Sequence, residues 1–530
     1  GYIGKQNVAP ILFNGLKRLE YRGYDSAGIV TLGSGFHIKK DAGKVDEIHQ
    51  RMNFLDIPGS LGIAHTRWAT HGGVTKENAH PHVDCDEKIA VVHNGIIENY
   101  QELKRNLIVA GHKFKSQTDT EVLPHLIEEI MKKGKNFHDA TISALKSLEG
   151  SYAFLILNRN ERKLIAARKG SPLVLGVSNE GCFAASDIPA FLEYTKNVVY
   201  MNDYDLALIT DEGFKIFNLI ENREVDRKVD TVDWDIKQAE KGEFEHFMLK
   251  EISEQVDTIQ RAAHQNREVI DHVVKEMRNA RGIFFVAAGS SYHACLAASY
   301  IMSKVSKLHI NVVLASEFPH YEHYLTDKSL IIAVSQSGET ADVLEAVKSA
   351  KVKKSKVISL VNTIGSSLTR TSDMFLNINA GPEICVLSTK TYTSQLALFT
   401  LLSYALSDRY DEGKRKLTQL WNGIYHLTSA TTRTKIKELA EKLQDKDHIF
   451  LIGRGLQYAT ALEAALKIKE VSYIHAEALA GGELKHGTIA LIENGTPCIV
   501  FVSEENEKEI LSNAMEIKSR GGNIIGVSPK

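Results

Sequence analysis

The sequence predicts two architectures in one chain: an α+β layered-sheet domain, followed by two α/β doubly wound parallel-sheet domains, the second incomplete. Three observations carry this. The first half is built of short apolar runs such as Tyr152–Leu157, Leu164–Ala167 and Leu173–Val177, separated by Gly or charged turns, a pattern of stacked sheets with few helices. The second half repeats a longer phrase of apolar strand, small polar turn and helix, as in Leu330–Lys354, LIIAVSQSGETADVLEAVKSAKVKK. Its opening run, Leu330–Val334, does not alternate, which marks a strand covered on both faces. Finally, one such unit recurs: Ile283–Tyr292 (IFFVAAGSSY) aligns with Ile449–Tyr458 (IFLIGRGLQY), each leading into an Ala-rich helix, so the second half is an internal duplication. The boundaries drawn from these patterns are 1–220 for the first domain, 221–245 for a charged linker, 246–425 for the first α/β domain and 426–530 for the second.

Composition narrows the classes. A chain of 530 residues exceeds a single core. Hydrophobic content of 43%, charged content of 25% and a net charge of −2 are those of an ordinary globular protein, and a pI near 6.9 without Lys/Arg-rich runs gives no reason to expect nucleic acid. No apolar stretch approaches membrane-spanning length, and no signal peptide opens the chain. The 5 cysteines, Cys85, Cys182, Cys295, Cys385 and Cys498, are odd in number and form no C-x-x-C pair. The expectation is a reduced, cytoplasmic protein with no disulfide framework, no zinc or other metal site and no cofactor. The chain opens Gly1-Tyr2-Ile3-Gly4 and closes Ile524-Ile525-Gly526-Val527 close to Lys530, both inside strand-like runs; residues are expected beyond each end.

In order along the first domain, Val8–Leu19 has helical spacing, and EYRGYDSAG (Glu20–Gly28) is a Gly-punctuated turn into the strand Ile29–Leu32. The strand Leu61–Ala64 runs into His65-Thr66-Arg67-Trp68-Ala69-Thr70-His71-Gly72-Gly73, too rich in donors for a core and suited to a ligand; Ala79-His80-Pro81-His82 follows. The run Ile89–Val92 ends in His93-Asn94-Gly95. Asn-Gly there reads either as a turn or as two neighbouring donors aimed at one oxyanion. Ser116–Glu121 opens a helix through Val122, Leu123, Leu126 and Ile127, with Thr118 and Glu121 as a capping box and Asp119 in the first turn.

Taken together, HTRWATHGG, AHPH, HNG, SQTDTEV and EYRGYDSAG resemble the glutaminase domain of N-terminal-nucleophile amidotransferases. The resemblance implies that Arg67, Trp68, Thr70, His71 and His80 frame a glutamine pocket, that Asp119 binds the glutamine α-amino group, and that Asn94 and Gly95 are the oxyanion donors. It also implies a nucleophile: that family opens Cys-Gly-Ile, the terminal Cys serving as nucleophile and its amino group as base. This chain starts just after such a lead-in, and the mature protein is expected to carry it.

In the second half, Phe244–Val274 is helical by period. Ser335-Gln336-Ser337-Gly338-Glu339-Thr340 lies between a strand and a helix, where free N–H groups and the positive end of the helix dipole converge. It reads either as a helix cap or as a phosphate cradle; lacking the Lys of a nucleotide-binding loop, it suits a single phosphate ester. Ser290 and Ser291 occupy the equivalent place in the preceding unit, and Glu383–Lys390 is another polar turn before a helix. On the helix Ala459–Ile474, Glu463, Lys467 and Glu470 share one face. Spacing alone favours a salt-bridge reading, with proton transfer as the alternative. Gly482–Gly487 (GELKHG) forms a Gly-rich loop.

SQSGETADV, STKTYTSQ, ALEAALKIKEVSYIHAEA and GELKHG resemble the tandem sugar-isomerase (SIS) domains of the glutamine–fructose-6-phosphate aminotransferase family. That resemblance implies that Ser291, Ser335, Gln336, Ser337 and Thr340 hold a sugar phosphate, that Ser290, Val386 and Ser388 line the rest of the site, that Glu470 moves a proton between C1 and C2 with Lys467 nearby, and that His486 of a neighbouring subunit assists ring opening. It implies a homodimer acting on glutamine and fructose 6-phosphate, with ammonia passed internally and glucosamine 6-phosphate and glutamate as products. The family also uses a Lys near its C-terminus for a Schiff base, in a tail beyond the last residue here. Two other readings stand beside this one: an amidotransferase with a different sugar-phosphate acceptor, disfavoured by the SIS repeat, and an SIS-based sugar-phosphate sensor, which would have no use for a glutamine pocket.

Overall fold

The computed structural model describes residues 1–20, 23, 25–68, 72–232 and 241–529. They fall into two compact units, Gly1–Glu240 and Lys241–Lys530.

The first unit is two antiparallel sheets packed face to face, with helices on both outer surfaces. One sheet runs Val229–Thr231, Asn197–Tyr200, Val174–Ser178, Gly181–Ala185, Tyr2–Gly4, Leu61–Arg67, Ser26–Leu32, Phe36–Ala42; the other runs Arg223–Val225, Gly213–Asn218, Asp205–Thr210, Glu161–Lys169, Gly150–Asn158, Ile89–Ile97, His82–Val83. Ile3, Val30 and Ile63 of the first sheet meet Val92, Leu155 and Leu164 of the second. Alternate residues point outward: Ile29 and Phe183 pack on the helix Val8–Leu19, and Val91, Ile156 and Ile165 pack on Val122–Lys132 and Phe137–Lys146. Because both faces are covered, these strands read as continuous apolar runs although the sheets are antiparallel. The layered α+β expectation therefore holds.

The second unit contains two parallel sheets. The larger runs Asn311–Leu314, Gly282–Ala287, Ser329–Ser335, Lys356–Val361, Met374–Asn377; the smaller runs His475–Ala480, His448–Gly453, Pro497–Phe501, Asn523–Val527. Numbered by sequence, the larger has order 2-1-3-4-5 and the smaller repeats its first four places, the doubly wound topology with a switch point between strands one and three. Leu330, Ile332 and Val334 face the helices Arg267–Asn279, Gly289–Val305 and Lys390–Leu406, whereas Ile331 and Ala333 face the helix Ala341–Val352. The strand is buried from Ser329 to Ser335, as its unbroken apolar run requires.

Some expected limits move. The helical stretch Phe244–Val274 is two helices, Phe247–Ala263 and Arg267–Asn279. Asn266 separates them by accepting a hydrogen bond from Glu268 N–H and capping the second. The stretch read as a linker from residue 221 contains two strands of the first unit: Val225 pairs with Ile216 and Val229 with Val199. Between them Arg227 makes a two-pronged pair with buried Asp205, both contacts at 2.8 Å. The line drawn at 425/426 falls inside the helix Trp421–Leu427. No helix among the described residues is long and apolar enough to cross a membrane.

Candidate active sites

In the first unit, a cavity of about 370 Å³ opens where the strands Leu61–Arg67 and Ile89–Ile97 end near the segment before the helix Val122–Lys132. Arg67, Trp68, His80, Asn94, Gly95 and Asp119 all line it; Thr70 and His71 lie outside the described residues. Asn94-Gly95 is no hairpin turn. The strand continues to Ile97, with Asn94 opposite Ala153 and Gly95 opposite Tyr152. Gly95 has φ +143°, and a Cβ there would sit 2.2 Å from the Ser151 carbonyl oxygen, so only glycine fits this approach of the chains. The Asn94 side chain lies exposed at the cavity.

The capping box expected of Thr118 and Glu121 does not form. The helix starts at Val122, and the Glu121 carboxylate turns back to accept from the amides of Lys115 (2.7 Å) and Ser116 (2.6 Å) and from the Ser116 hydroxyl (2.7 Å). The loop pinned in this way carries Asp119 to the cavity, where one carboxylate oxygen accepts from Ile97 N–H at 2.8 Å. Histidines pack the far wall: His65 stacks on His80 at 4.3 Å, His80 Nδ1 accepts from His93 N–H at 3.2 Å, and His93 Nδ1 lies 2.9 Å from Thr120 Oγ1. Burial lowers His65 to about 3 and takes His80 well below the usual imidazole range, so these two rings are neutral at physiological pH. Arg67 is buried and donates to the carbonyls of Gly72 and Gly73.

In the second unit, a cavity of about 260 Å³ lies at the switch point of the larger sheet. The strand Gly282–Ala287 delivers Ser290 and Ser291 to it, and the strand Ser329–Ser335 delivers Ser335, Gln336, Ser337 and Thr340. Two helices, Gly289–Val305 and Ala341–Val352, begin here, neither with a side-chain cap, so first-turn N–H groups and both dipoles face one space. Ser335 Oγ accepts from Gly338 N–H at 3.0 Å and lies 2.8 Å from Thr340 Oγ1. Gly338 has φ +67°, and a Cβ there would press on Ser366. Val386 and Ser388 form another wall, and Lys467 and Glu470 of the helix Leu456–Ser472 close the cavity. Lys467 Nζ bonds Glu470 at 2.7 Å, Glu463 at 3.4 Å and Ser290 Oγ at 3.0 Å. The spacing argument for ion pairs on this face thus holds, and the same groups also face an anion-sized space.

Family comparisons cover parts of both units. Residues 65–193 match the model of a glutamine amidotransferase domain, and residues 276–405 and 442–530 that of the SIS domain. A glutamine–fructose-6-phosphate aminotransferase (isomerizing) of Pyrococcus horikoshii is 46% identical over 99% of this chain and 89% of its own length. The protein of the same name from Clostridium acetobutylicum is 41% identical over 100% of this chain and 89% of its own length. The chain belongs to the glutamine–fructose-6-phosphate aminotransferase (isomerizing) family. Among solved structures, the C-terminal domain of glucosamine-fructose-6-phosphate aminotransferase from Francisella tularensis matches with a TM-score of 0.51 and 36% identity over 55% of this chain and 85% of that one.

Within this aminotransferase-family frame, the structure gathers every described sequence-named residue into one of the two cavities except His486. That residue is exposed, at the end of the short turn Leu484–His486, and is not among those lining the sugar-phosphate cavity. Sequence reasoning missed the support beneath Lys467. Glu463 is buried and accepts from Ser290 Oγ and from His293 Nδ1, both at 2.8 Å, and Gln395 donates to Ser291 Oγ at 2.9 Å. The Glu463–Lys467 spacing was visible in the sequence, but His293 and Gln395 reach the site from other helices and leave no local pattern.

Proposed function

We propose that this chain takes the amide nitrogen of glutamine, transfers it to fructose 6-phosphate and isomerises the product to glucosamine 6-phosphate, releasing glutamate. The observation that carries this is the second cavity, where a neutral hydroxyl-lined anion cradle faces a Lys–Glu pair across a space of sugar size. In the first cavity, the Asp119 carboxylate pairs with the α-amino group of glutamine, and the Asn94 amide and Gly95 N–H receive the negative charge that develops on the amide oxygen. Among the described residues no cysteine lines this cavity, so these residues supply binding and charge stabilisation, while the thiol chemistry is that of the family.

In the second cavity, the phosphate is held by Ser291, Ser335, Gln336, Ser337 and Thr340 with the two helix starts, while Ser290, Val386 and Ser388 shape the sugar site. Ammonia adds to C2 of the open-chain ketose and water leaves. Glu470 then removes a proton from C1 and returns one to C2, turning a C2 imine into a C2 amine with an aldehyde at C1. The Lys467 ammonium stabilises the charge on the enol oxygen between those steps. The exposed His486 fits a role across a subunit interface, as in a homodimer joined through the second unit, and the reading is of a cytoplasmic protein.

The test is product analysis. The full natural chain, given amide-¹⁵N glutamine and fructose 6-phosphate, is expected to yield ¹⁵N-glucosamine 6-phosphate and glutamate in equal amounts. Glutamate release without an aminated sugar, or amination of another sugar phosphate in preference, overturns the reading.

A further inference from the structure

Away from both cavities, one cluster in the first unit uses donors that neither site needs. Cys85, on the loop between the strands His82–Val83 and Ile89–Ile97, meets His112, His125 and Glu128, the last two on the helix Val122–Lys132. Among the described residues this is the one group of His, Cys, Asp or Glu side chains whose donor atoms converge closely enough to hold a metal ion. His112 Nδ1 lies 3.3 Å from His125 Nδ1, Cys85 Sγ lies 3.8 and 3.6 Å from those two nitrogens, and Glu128 Oε2 lies 3.1 and 3.5 Å from them. For a tetrahedral ion with bonds of about 2.0 Å to N or O and about 2.3 Å to S, the edges between donors are roughly 3.3–3.6 Å, close to what is seen.

The far nitrogens of both rings face carboxylates: His112 Nε2 is 3.3 Å from Glu129 and His125 Nε2 is 3.8 Å from Glu121. On His112 the Glu129 carboxylate holds the ring proton at Nε2 and leaves the Nδ1 lone pair pointing inward. That lone pair, Nδ1 of His125, the Cys85 sulfur and Glu128 Oε2, which also accepts from Cys85 N–H at 3.2 Å, converge on one point. Both imidazoles are buried, the Lys132 ammonium pairs with the other oxygen of Glu128 at 2.7 Å, and the four donor atoms stand at the edge lengths of a tetrahedral ion's shell.

We infer that Cys85, His112, His125 and Glu128 bind one four-coordinate divalent transition-metal ion, zinc by donor set and geometry. With four protein donors the site is closed, which makes it structural. Glu121 touches His125 on one side and on the other holds the Lys115 and Ser116 amides. The ion would therefore tie the Cys85 loop, the helix Val122–Lys132 and the segment that presents Asp119. This replaces the sequence expectation of no metal. The donors stand 27 and 13 residues apart from one to the next, and only His125 and Glu128 are neighbours on a helix turn.

The test is metal content and spectroscopy on the full natural chain purified without chelators. About one zinc per chain is expected. After the metal is stripped, cobalt(II) should bind once, with the intense visible bands of four-coordinate cobalt and a thiolate-to-cobalt charge-transfer band in the near ultraviolet. Cys85→Ser, on an exposed loop, should keep the wild-type far-ultraviolet circular dichroism, lose the charge-transfer band and bind zinc more weakly by more than the ~10–100-fold typical of losing an outer partner. Chelation should lower the wild-type Tm by more than that of Cys85→Ser. Wild-type protein that takes up neither zinc nor cobalt in stoichiometric amount, or a charge-transfer band that survives Cys85→Ser, overturns the inference.

Discussion

Ser335→Ala tests the phosphate cradle most directly. The Ser335 hydroxyl accepts from Gly338 N–H at 3.0 Å and exchanges a hydrogen bond with Thr340 Oγ1 at 2.8 Å, and it borders the cavity. Its loss has two separable costs. Gly338 is buried, so an orphaned N–H costs about 1–3 kcal/mol of stability; for a unit of this size that is a Tm lower by several degrees, at roughly 2–4 °C per kcal/mol. A hydrogen bond to a phosphate is worth about 1.5–3 kcal/mol, roughly a 10- to 100-fold weaker Kd for fructose 6-phosphate at about 1.4 kcal/mol per tenfold. The phosphate lies away from C1 and C2, so the loss falls equally on ground and transition states, raising KM and sparing kcat. Calorimetric titration and thermal melting of the same variant separate the two costs. If Tm falls and Kd for fructose 6-phosphate does not change, the hydroxyl serves only to fold the turn, and the phosphate site lies elsewhere.

Four further outcomes follow from the same structure. Glu470→Gln should release glutamate from glutamine as before but form glucosamine 6-phosphate roughly 10²–10⁴-fold more slowly; equal loss of both activities counts against the division of roles. Gly95→Ala places a Cβ 2.2 Å from the Ser151 carbonyl oxygen at φ +143°, with strain alone of about 1–3 kcal/mol, so the first unit should melt several degrees lower while sugar-phosphate binding is unaffected. Burial, then the facing Glu383, raises the Glu251 carboxyl from 4.5 to about 7; as the folded value exceeds the unfolded one, its contribution is present below about pH 4.5 and is lost as pH rises through 7, by at most about 3 kcal/mol. Glu251→Gln, neutral throughout, should therefore melt above wild type at pH 8 and converge with it near pH 5. A hexose 6-phosphate should bind once per chain despite the duplicated fold, read as calorimetric stoichiometry.

What could be read from the sequence depended on whether the chemistry was contiguous. Ser335–Thr340 lies on one turn between a strand and a helix, so its hydroxyls, glycine and helix start appear together in a short window. Lys467 and Glu470 share a helix face and were equally visible. The competing partners were not. Thr118 and Glu121 have capping-box spacing, yet the Lys115 and Ser116 amides take the glutamate. Asn94-Gly95 carries a turn signal, yet pairing with Gly150–Asn158 draws the strand through it. The period from Phe244 to Val274 runs unbroken in the residues, but the Asn266 side chain stops one helix and starts the next. The Cys85 cluster joins three separate parts of the chain, so no local spacing reports it. In each case a contact distant in sequence outweighs a local preference.

The duplication in the second unit explains why one copy holds the anion cradle and the other the acid–base groups. The two sheets share strand order, so topology alone would place a binding turn at each switch point. In the first copy that turn is Ser335–Thr340, opened by Gly338 and lined with hydroxyls. In the second, the equivalent turn after Pro497–Phe501 is Ser503-Glu504-Glu505-Asn506, with two carboxylates where the first copy has hydroxyls and glycine, and at the turn after His448–Gly453 a Cβ on Gly453 would lie 2.1 Å from the Gln457 carbonyl oxygen. The Arg454 that follows is committed inward, donating to Asn513 at 3.0 Å while its carbonyl accepts from Asn506 at 2.9 Å. Two carboxylates at the turn after Pro497–Phe501 disfavour a phosphate in the second copy. Its helix Leu456–Ser472 instead lays Glu463 and Lys467 against Ser290 of the first copy. A pocket shared in this way draws on both copies, the cradle from one and the Lys–Glu pair from the other.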